Sequence, residues 1–247
     1  MTSPLKNWAE QARSAGAAPS GADAKPAATV AVLRDGRQGL ETLLAKRSSK
    51  LAFHGGAWVF PGGRIDDGDW HDGDDLARAA ARAAVREATE EAGVDIDVDS
   101  LVHLSNWTTP AISPKRFATW FFVAPAHAEI AEAVADGVES DAVRWFRPDE
   151  ALAARTEGEI ELAPPQFVTL LWLSEYATVA DAMAGITAEV AIDFTPQFHF
   201  LEGGGAICIY VGDVAWDALD RVDEPGPRHR LMMPPKAEWV YERDEAL

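Results

Sequence analysis

The sequence predicts a mixed α+β sandwich. Three observations support this class: short runs rich in β-branched and aromatic residues are bounded by Gly, Pro and Asp; one long Ala-rich segment favours helix; and a mainly helical stretch is followed by further strand-like runs. Strands and helices in this order pack as layers around a shared core. With 247 residues, of which 47% are hydrophobic and 25% charged, the chain is long enough to bury a substantial core.

The N-terminal residues differ in composition from the rest of the chain. Residues 1–26 are rich in Ala, Gly, Ser and Pro and have no sustained apolar period. They are therefore predicted to form a flexible arm. Residues 27–247 are expected to form one domain, with a C-terminal extension that begins near residue 153.

Apolar runs bounded by turn residues predict the strands. A turn sequence at 35–39 separates the first two runs, and Pro61, Gly62 and Gly63 end the third. The chain is expected to end in a loop that contains proline. The predicted strands are residues 29–33, 40–45, 58–60, 101–107, 116–124, 142–146, 190–194, 198–201 and 206–211.

Two segments are predicted to be helical. Residues 74–92 are rich in Ala, and Gly93 is a suitable C-terminal stop. Residues 149–184 look mainly helical, with a break at 163–165. The apolar stretch 167–176 could form the surface of a homodimer or simply belong to the core, and both interpretations stay open.

The charge and the cysteine content narrow the class of function. The formal net charge is −18, and such a surface repels nucleic-acid phosphates, so no nucleic-acid partner is expected. Cys208 is the single cysteine, which suits a reducing cytoplasm, and its apolar surroundings in the sequence indicate a core residue rather than a nucleophile. No stretch reaches the ~18 apolar residues of a membrane helix, so a cytoplasmic location without a membrane partner is expected.

Three carboxylates cluster on the long helix. Glu87, Glu90 and Glu91 stand at positions i, i+3 and i+4 and therefore share one face. Such groups repel one another unless a hard divalent cation such as Mg²⁺ or Mn²⁺ lies between them. Arg86 can bridge to Glu90 one turn further on. The alternative is an ordinary solvated acidic face.

Residues around this helix match a known motif. The chain resembles the Nudix box, GX5EX7REUXEEXGU, in which U is an apolar residue and Ala88 stands for the first U. This resemblance implies a Nudix-type α/β/α sandwich with a mixed sheet, plus helical and C-terminal additions. It also implies that Glu87, Glu90, Glu91 and the Gly63 carbonyl bind Mg²⁺ or Mn²⁺ for hydrolysis of a small-molecule diphosphate. The matching positions are Gly63, Arg86, Glu87, Glu90, Glu91, Gly93 and Val94.

The box of this chain departs from the motif in two ways. The motif has about 13 residues between its first Gly and its Arg, whereas 22 residues lie between Gly63 and Arg86. Counting back along the helix from Arg86, the position of the consensus Glu falls on Arg78. In the family this Glu orients the loop and the helix. Asp74 or Asp75 is the expected replacement.

A second resemblance suggests the substrate. The sequence before the box is similar to the signature of the coenzyme A diphosphatases of the Nudix family, LLTXRSX3RX3GX3FPGG, although Ala52 occupies the position of its second Arg. Residues 106–124 are similar to the peroxisomal-type branch, which tolerates an enlarged box. The implied substrate is coenzyme A or acyl-coenzyme A, cleaved to 3′,5′-ADP and (acyl-)4′-phosphopantetheine. The candidate substrate-binding residues are Arg47, Ser48, His54, Gly56 and Arg116.

Several alternatives stay open. Glu139 could act as a further metal ligand or general base, as loop carboxylates do in many Nudix enzymes, or be an exposed loop acid. The substrate could instead be ADP-ribose or a nucleotide sugar. A domain that binds a nucleotide as a sensor without cleaving it is a third possibility, supported by Arg78 and opposed by the complete set of Glu87, Glu90 and Glu91. Residues 153–247 match no known pattern.

Overall fold

A mixed eight-stranded sheet forms the centre of the molecule. The computed structural model describes residues 23–48, 55–113, 115–127, 135, 137, 140–235 and 237–244. The sheet has the order β3-β2-β1-β6-β5-β8, with β4 paired to β1 and β7 paired to β2. The pairs β1–β6 and β5–β8 are parallel and the others antiparallel. The strands are β1 (Lys25–Gly36), β2 (Gly39–Arg47), β3 (Trp58–Val59), β4 (Gly62–Arg64), β5 (Val102–Thr108), β6 (Phe117–Pro125), β7 (Ser140–Phe146) and β8 (Ile192–Phe194).

One long helix, α1 (Leu76–Ala92), covers one face of this sheet. It begins where the side chain of Asp75 accepts a hydrogen bond from the Arg78 N–H at 2.9 Å. It ends at Gly93, whose φ of +65° is the left-handed conformation that glycine adopts without strain. The predicted helix and its stop are therefore present, with Asp75 as the cap rather than as a helical residue.

Three shorter helices and a second sheet cover the other face. The helices are α2 (Pro148–Glu157), α3 (Pro164–Leu173) and α4 (Val179–Ala188). The second sheet is antiparallel, in the order β12-β11-β10-β9. Helix, sheet and helix layers together confirm the predicted α+β sandwich. The strands of the second sheet are β9 (Gln197–Phe200), β10 (Ala206–Ile209), β11 (His229–Met233) and β12 (Val240–Arg243).

The alternation of β1 divides the core in two. Val30 and Val32 pack toward α1, whereas Ala31 and Leu33 pack toward the short helices and the second sheet. This is the period of two expected for a strand buried on both faces. The larger half of the core contains most of the aromatic side chains, so the C-terminal third of the chain is packed into the same core as the first sheet.

The C-terminal third differs from the prediction at two points. The predicted break in the helical stretch is present but lies at residues 158–163; Pro164 already begins α3, because the missing N–H of a proline costs nothing in the first turn. Residues 229–233 and 240–243 form β11 and β12, where the sequence predicted a terminal loop. The apolar stretch 167–176 lies largely in the core of the single chain, where Val168, Leu170 and Leu173 are fully buried.

Two further boundaries also differ. Strand β1 already includes Lys25 and Pro26, which the sequence assigned to the N-terminal arm, because both pair with β6. The Asp- and Gly-rich segment after β4 contains a turn of 3₁₀-helix at Asp67–Asp69. Within the part of the chain that the structure describes, no helix combines the length and apolarity that crossing a membrane would need.

Candidate active site

A cavity of about 790 Å³ lies between the first sheet, the C-terminal end of α1 and the C-terminal third of the chain. It is the place where the residues of the motif meet the part of the sequence that matched no pattern. The lining residues are Ala27, Ala28, Thr29, Arg47, Val59, Phe60, Gly62, Gly63, Arg64, Asp66, Arg86, Glu87, Glu90, Glu91, Trp107, Thr108, Thr109, Pro110, Phe117, Thr119, Phe121, Ala163, Pro164, Pro165, Gln166, Pro196, Phe198 and Cys208.

The glycine loop at residues 61–63 is fastened directly to β1. The Thr29 hydroxyl donates to the Pro61 carbonyl at 2.7 Å, and the Val30 N–H donates to the same carbonyl at 3.1 Å. A Cβ on Gly62 would lie 2.5 Å from the carbonyl oxygen of Ala28. Only glycine fits this close approach of two backbones. The loop is therefore held in a fixed position beside α1.

Two of the three motif carboxylates face this loop. Glu91 is 4% exposed, and its Oε2 accepts a hydrogen bond from the Gly62 N–H at 3.1 Å. The carboxylate of Glu87 occupies the space that a Cβ on Gly63 would need. Glu90 lies further out, with 59% of its side chain exposed. The three residues share one face of α1, as predicted, but only Glu87 and Glu91 are packed against the glycines.

Arg86 connects the loop, the insertion and the helix. Its Nε and Nη2 donate to the two carboxylate oxygens of Asp69 at 3.0 and 2.9 Å. Its Nη2 also donates to the Arg64 carbonyl at 3.0 Å. Its Nη1 donates to Glu87 at 2.8 Å and to Glu90 at 3.0 Å. The predicted bridge to Glu90 is therefore one of five contacts, and the bidentate pair with Asp69 is the most directional of them.

Asp69 is held in its charged form. Burial by itself would raise the pKa of this carboxyl. The hydrogen bonds from Arg86 and from the Asp66 N–H, together with the positive charges of Arg86 and Arg82, outweigh burial and leave the pKa below its ordinary value. The Asp69–Arg86 pair is therefore ionised at any pH near neutrality.

Asp69 occupies the position of the consensus Glu, which corrects the interpretation made from the sequence. Counted forward from Gly63, Asp69 stands where the motif GX5E has its Glu, and the nine additional residues follow it. Arg78 is exposed and only its N–H takes part, as the donor to the Asp75 cap. Asp74 pairs with Arg82 instead of Arg86. Counting backward failed because it placed the insertion before the Glu.

The arrangement suits a divalent ion bound by few protein ligands. Among the described residues, no three side chains of His, Cys, Asp or Glu already converge on one point. Mg²⁺ commonly uses one or two carboxylates and completes its shell with water and substrate phosphate oxygens. Glu87 and Glu91 beside the glycine loop provide such a pair, since the absent Cβ of Gly63 leaves the carboxylate of Glu87 against the backbone.

Two guanidinium groups complete the charged half of the cavity. Within the described part of the chain, neither Arg47 nor Arg64 forms an ion pair, and the buried Nε of Arg47 has no hydrogen-bond partner. Arg47 was predicted from the sequence as a substrate contact, and Arg64 was missed. The backbone carbonyl of Arg64 accepts a hydrogen bond from Arg86. This contact fixes the backbone from which the Arg64 side chain extends.

The other predicted substrate contacts are placed differently. Ser48 is buried and Gly56 closes the turn by donating its N–H to the Arg47 carbonyl at 2.9 Å; neither lines the cavity. The Nε of Arg116 donates to the Thr109 carbonyl at 3.1 Å, and it is the neighbouring Phe117 that reaches the cavity. The predictions for His54 and Glu139 lie outside the described residues.

The C-terminal third supplies the second wall of the cavity, which the sequence did not reveal. Gln166 at the start of α3, Pro196, Phe198 and Cys208 all line it. Burial raises the pKa of the Cys208 thiol to about 12. Cys208 is therefore protonated and acts as a core residue, in agreement with the sequence analysis. No local pattern marks these residues, because only packing brings them to the site.

Comparisons with known proteins agree with this geometry. The model of the NUDIX domain matches residues 24–166, which is more than half of the chain. The acyl-coenzyme A diphosphatase NUDT19 of Xenopus laevis is 36% identical over 84 residues, a match that covers 32% of this chain and 22% of that protein. The chain thus matches only about a fifth of the length of this relative.

The chain is also similar to solved structures, one of which shows the same fold. The crystal structure of a Nudix hydrolase from Alicyclobacillus acidocaldarius aligns with a TM-score of 0.62 at 24% identity, covering 69% of this chain and all of that one, 100%. The MutT Nudix hydrolase from Burkholderia pseudomallei aligns with a TM-score of 0.46 at 22% identity, covering 61% of this chain and 98% of that one.

Proposed function

The chain belongs to the Nudix family of hydrolases, which act on acid anhydrides, and we propose that it hydrolyses the diphosphate bond of coenzyme A or acyl-coenzyme A. The products would be 3′,5′-ADP and (acyl-)4′-phosphopantetheine. The observation that carries the proposal is a cavity with two unlike halves. One half is charged and suits a diphosphate, and the other is apolar and suits an uncharged organic group.

The charged half would bind the diphosphate through its arginines. Arg47 and Arg64 line the cavity and form no ion pair within the described residues, so both can pair with phosphate oxygens. Arg86 is engaged with Asp69, Glu87 and Glu90 and serves to position the carboxylates. The four lining carboxylates among the described residues would repel a diphosphate, so a counter-charge is needed between them and the substrate.

Glu87 and Glu91 would hold the divalent ion, with the Gly63 carbonyl and Glu90 assisting. When bound, Mg²⁺ or Mn²⁺ supplies charge neutralisation for the diphosphate and lowers the pKa of a water molecule. The proposal includes both Mg²⁺ and Mn²⁺ as candidates for this ion. The rigid attachment of the Gly62–Gly63 loop to β1 would keep this set of oxygens preorganised.

The reaction would consume one water molecule. The water oxygen attacks one phosphorus, the bond from that phosphorus to the bridging oxygen breaks, and the bridging oxygen leaves with the other phosphate. Glu87 is our candidate for accepting the proton of the attacking water, with Glu139 as the alternative. Glu87 lies on the cavity wall, where its carboxylate adjoins the glycine loop.

Coenzyme A is favoured by the residues before the box and by the relative. Arg47, Phe60, Pro61, Gly62 and Gly63 belong to the stretch that is similar to the coenzyme A diphosphatase signature. The protein with which this chain shares 36% identity over 84 residues is named an acyl-coenzyme A diphosphatase. The uncharged residues that line the cavity suit an uncharged arm beside the diphosphate.

Replacing Glu91 tests the catalytic site. Glu91→Gln should lower kcat by several orders of magnitude, because an amide is a much weaker ligand for a hard cation. The fold should persist, since the Gln carbonyl can still accept the hydrogen bond from Gly62. Glu157→Gln, at the exposed end of α2, is the control and should leave kcat unchanged. Unchanged turnover in Glu91→Gln would remove Glu91 from the site.

A direct comparison of substrates tests the specificity. Coenzyme A, ADP-ribose and NADH should be assayed side by side with Mg²⁺ and with Mn²⁺, and coenzyme A should give the highest kcat/KM. A higher value for ADP-ribose would assign the chain to the alternative substrate class. Absence of hydrolysis of all three, with retained binding, would favour the sensor.

Two expectations from the sequence stay predictions. A homodimer would have to use a surface other than the buried side chains of α3, because these already form the core of one chain. A cytoplasmic location is suggested by the composition and by the single cysteine.

A further inference from the structure

Gln166 lines the cavity, and the oxygen of its side-chain amide is buried without a partner among the described residues. Gln166 is the third residue of α3, lines the cavity and is 8% exposed. Its Oε1 is fully buried and accepts no hydrogen bond from any described residue. A buried amide oxygen without a donor lowers the stability of a fold, and most such atoms in proteins do have a partner. The fold therefore gives no reason for a glutamine at this position.

Gln166 differs from most other unpaired polar residues of the interior because it lines the cavity. The hydroxyls of Thr42 and Thr169 are also buried without a partner among the described residues, but neither residue lines the cavity. Gln166 and Arg47 combine both properties. Arg47 offers a donor with positive charge, whereas Gln166 offers an uncharged amide. The two side chains therefore fit different parts of one ligand.

The surroundings of Gln166 indicate an uncharged ligand group. The other lining residues from the C-terminal third are Ala163, Pro164, Pro165, Pro196, Phe198 and Cys208, and none of them carries a charge. A desolvated wall of this kind suits an apolar or planar group, and one amide in it can select a ligand by a hydrogen bond.

We infer that Gln166 is a specificity-determining residue that hydrogen-bonds an uncharged N–H or amide of the organic part of the substrate. The inference rests on the proposed function and deepens it, because it names the group outside the diphosphate that this chain recognises. In coenzyme A this chemistry has two sources: the amides of the pantetheine arm and the amino edge of adenine. Comparing two substrates in the test below decides which of these two groups Gln166 contacts.

Gln166→Leu removes the amide and keeps the size of the side chain. The variant should lower kcat/KM for coenzyme A by roughly fivefold or more, mainly through KM, because one hydrogen bond to the bound substrate is lost. Its melting temperature should not fall, because an unpaired buried polar group is replaced by an apolar one. Thr169→Val, on the same helix but away from the cavity, is the matched control and should leave kcat/KM unchanged.

A second substrate separates the two sources. ADP-ribose contains adenine but has no pantetheine arm. A loss confined to coenzyme A assigns the contact to the pantetheine amides, and an equal loss with both substrates assigns it to adenine. Either result supports the inference. Unchanged kcat/KM with both substrates overturns it.

Binding measurements test the role of Gln166 independently of whether the protein hydrolyses coenzyme A. If the wild-type protein hydrolyses neither substrate, the proposed function fails, and calorimetry with 4′-phosphopantetheine and with 3′,5′-ADP then decides the role of Gln166. Weaker binding of one probe to Gln166→Leu than to the wild type supports the inference. Equal affinities, or no binding of either probe to the wild type, contradict it.

Discussion

At the level of single residues, Arg86 and Asp69 determine how the site is held together. Arg86 binds Asp69 with two hydrogen bonds and contacts Glu87, Glu90 and the Arg64 carbonyl at the same time. A guanidinium with several fixed donors suits this task better than an ammonium, which has no planar geometry. Asp69 is not among the residues that line the active-site cavity, but it sets the orientation of Arg86, which positions two of the carboxylates.

Replacing Asp69 should therefore reduce activity, although Asp69 itself is not expected to contact the substrate. We expect Asp69→Ala to lower kcat/KM by about 10- to 100-fold, the usual effect of removing a partner that orients a metal-binding group. Steady-state kinetics at several Mg²⁺ concentrations should show that more metal is needed for half-maximal activity.

Arg78→Ala is the informative control for this prediction. Arg78 is the position that counting back from Arg86 gives for the consensus Glu, but the structure exposes its side chain to solvent. Its replacement should change kcat/KM by less than about twofold. If Arg78→Ala impaired activity and Asp69→Ala did not, the assignment of Asp69 to the motif would be wrong.

At the level of secondary structure, α1 places the carboxylates through a stripe of alanines. Ala80, Ala84 and Ala88 are fully buried against the sheet, and the small side chains let the helix lie close to β1. Glu91 continues the buried side of the helix and therefore meets the glycine loop. The distance between helix and sheet thus sets the distance between carboxylate and loop.

Enlarging one alanine should disturb both stability and catalysis. Ala84→Leu is expected to lower the free energy of unfolding by about 1–3 kcal/mol, because a tightly packed interface has no room for three further carbons. Its kcat should fall as well, since α1 is pushed away from the loop. Urea unfolding and kinetics on the same preparation measure the two effects.

The matched control is the same substitution in the first turn of α1, outside the core clusters. Ala77 lies on α1 but is only half-buried and belongs to none of the core clusters. Ala77→Leu should leave both stability and kcat close to the wild type. Equal losses in the two variants would show that the alanine stripe does not set the position of the helix.

At the level of the whole molecule, the C-terminal third forms one wall of the candidate active site. It supplies the second sheet, and that sheet is stabilised by a buried ion pair between Asp213 and Arg230 at 2.7 and 2.5 Å. Asp213 also accepts hydrogen bonds from the N–H groups of Ala215 and His229. Burial would raise the pKa of Asp213, but Arg230 and these two N–H groups outweigh it and lower the pKa.

Removing one partner of this pair should weaken the fold. Asp213→Ala leaves the buried guanidinium of Arg230 without its counter-charge, and we expect a loss of about 3–5 kcal/mol in the free energy of unfolding. The exposed Asp217 lies close by in sequence, and Asp217→Ala should have little effect. Guanidinium chloride unfolding compares the three proteins.

Lowering the pH should reduce the difference in unfolding free energy between the wild type and Asp213→Ala. Because the pKa of Asp213 is lower in the folded state, its contribution is complete above the unfolded-state pKa of about 3.9 and is lost as the pH falls through the lower folded-state value. The gap in stability between wild type and Asp213→Ala should therefore narrow below about pH 4. A gap that stayed constant down to pH 2 would mean that ionisation of Asp213 contributes nothing.

Prediction from the sequence succeeded where geometry is local and failed where it is not. The Ala-rich helix, its stop at Gly93 and the shared face of Glu87, Glu90 and Glu91 all follow from the 3.6-residue repeat and from the preferences of helix ends. The assignment of Arg78 failed because the length of an insertion does not reveal its place. The break predicted at 163–165 lies a few residues earlier, at 158–163, because a proline can follow the end of one helix or begin the next.

The amino-acid sequence by itself determined the class of fold, the family and the three carboxylates on α1, because each depends on residues within a few turns of one another. The tertiary structure decided that Asp69 binds Arg86 across 17 positions and that Gln166, Phe198 and Cys208 line the same cavity as the carboxylates. Contacts between residues far apart in the chain depend on how whole layers pack, and no local periodicity encodes that packing.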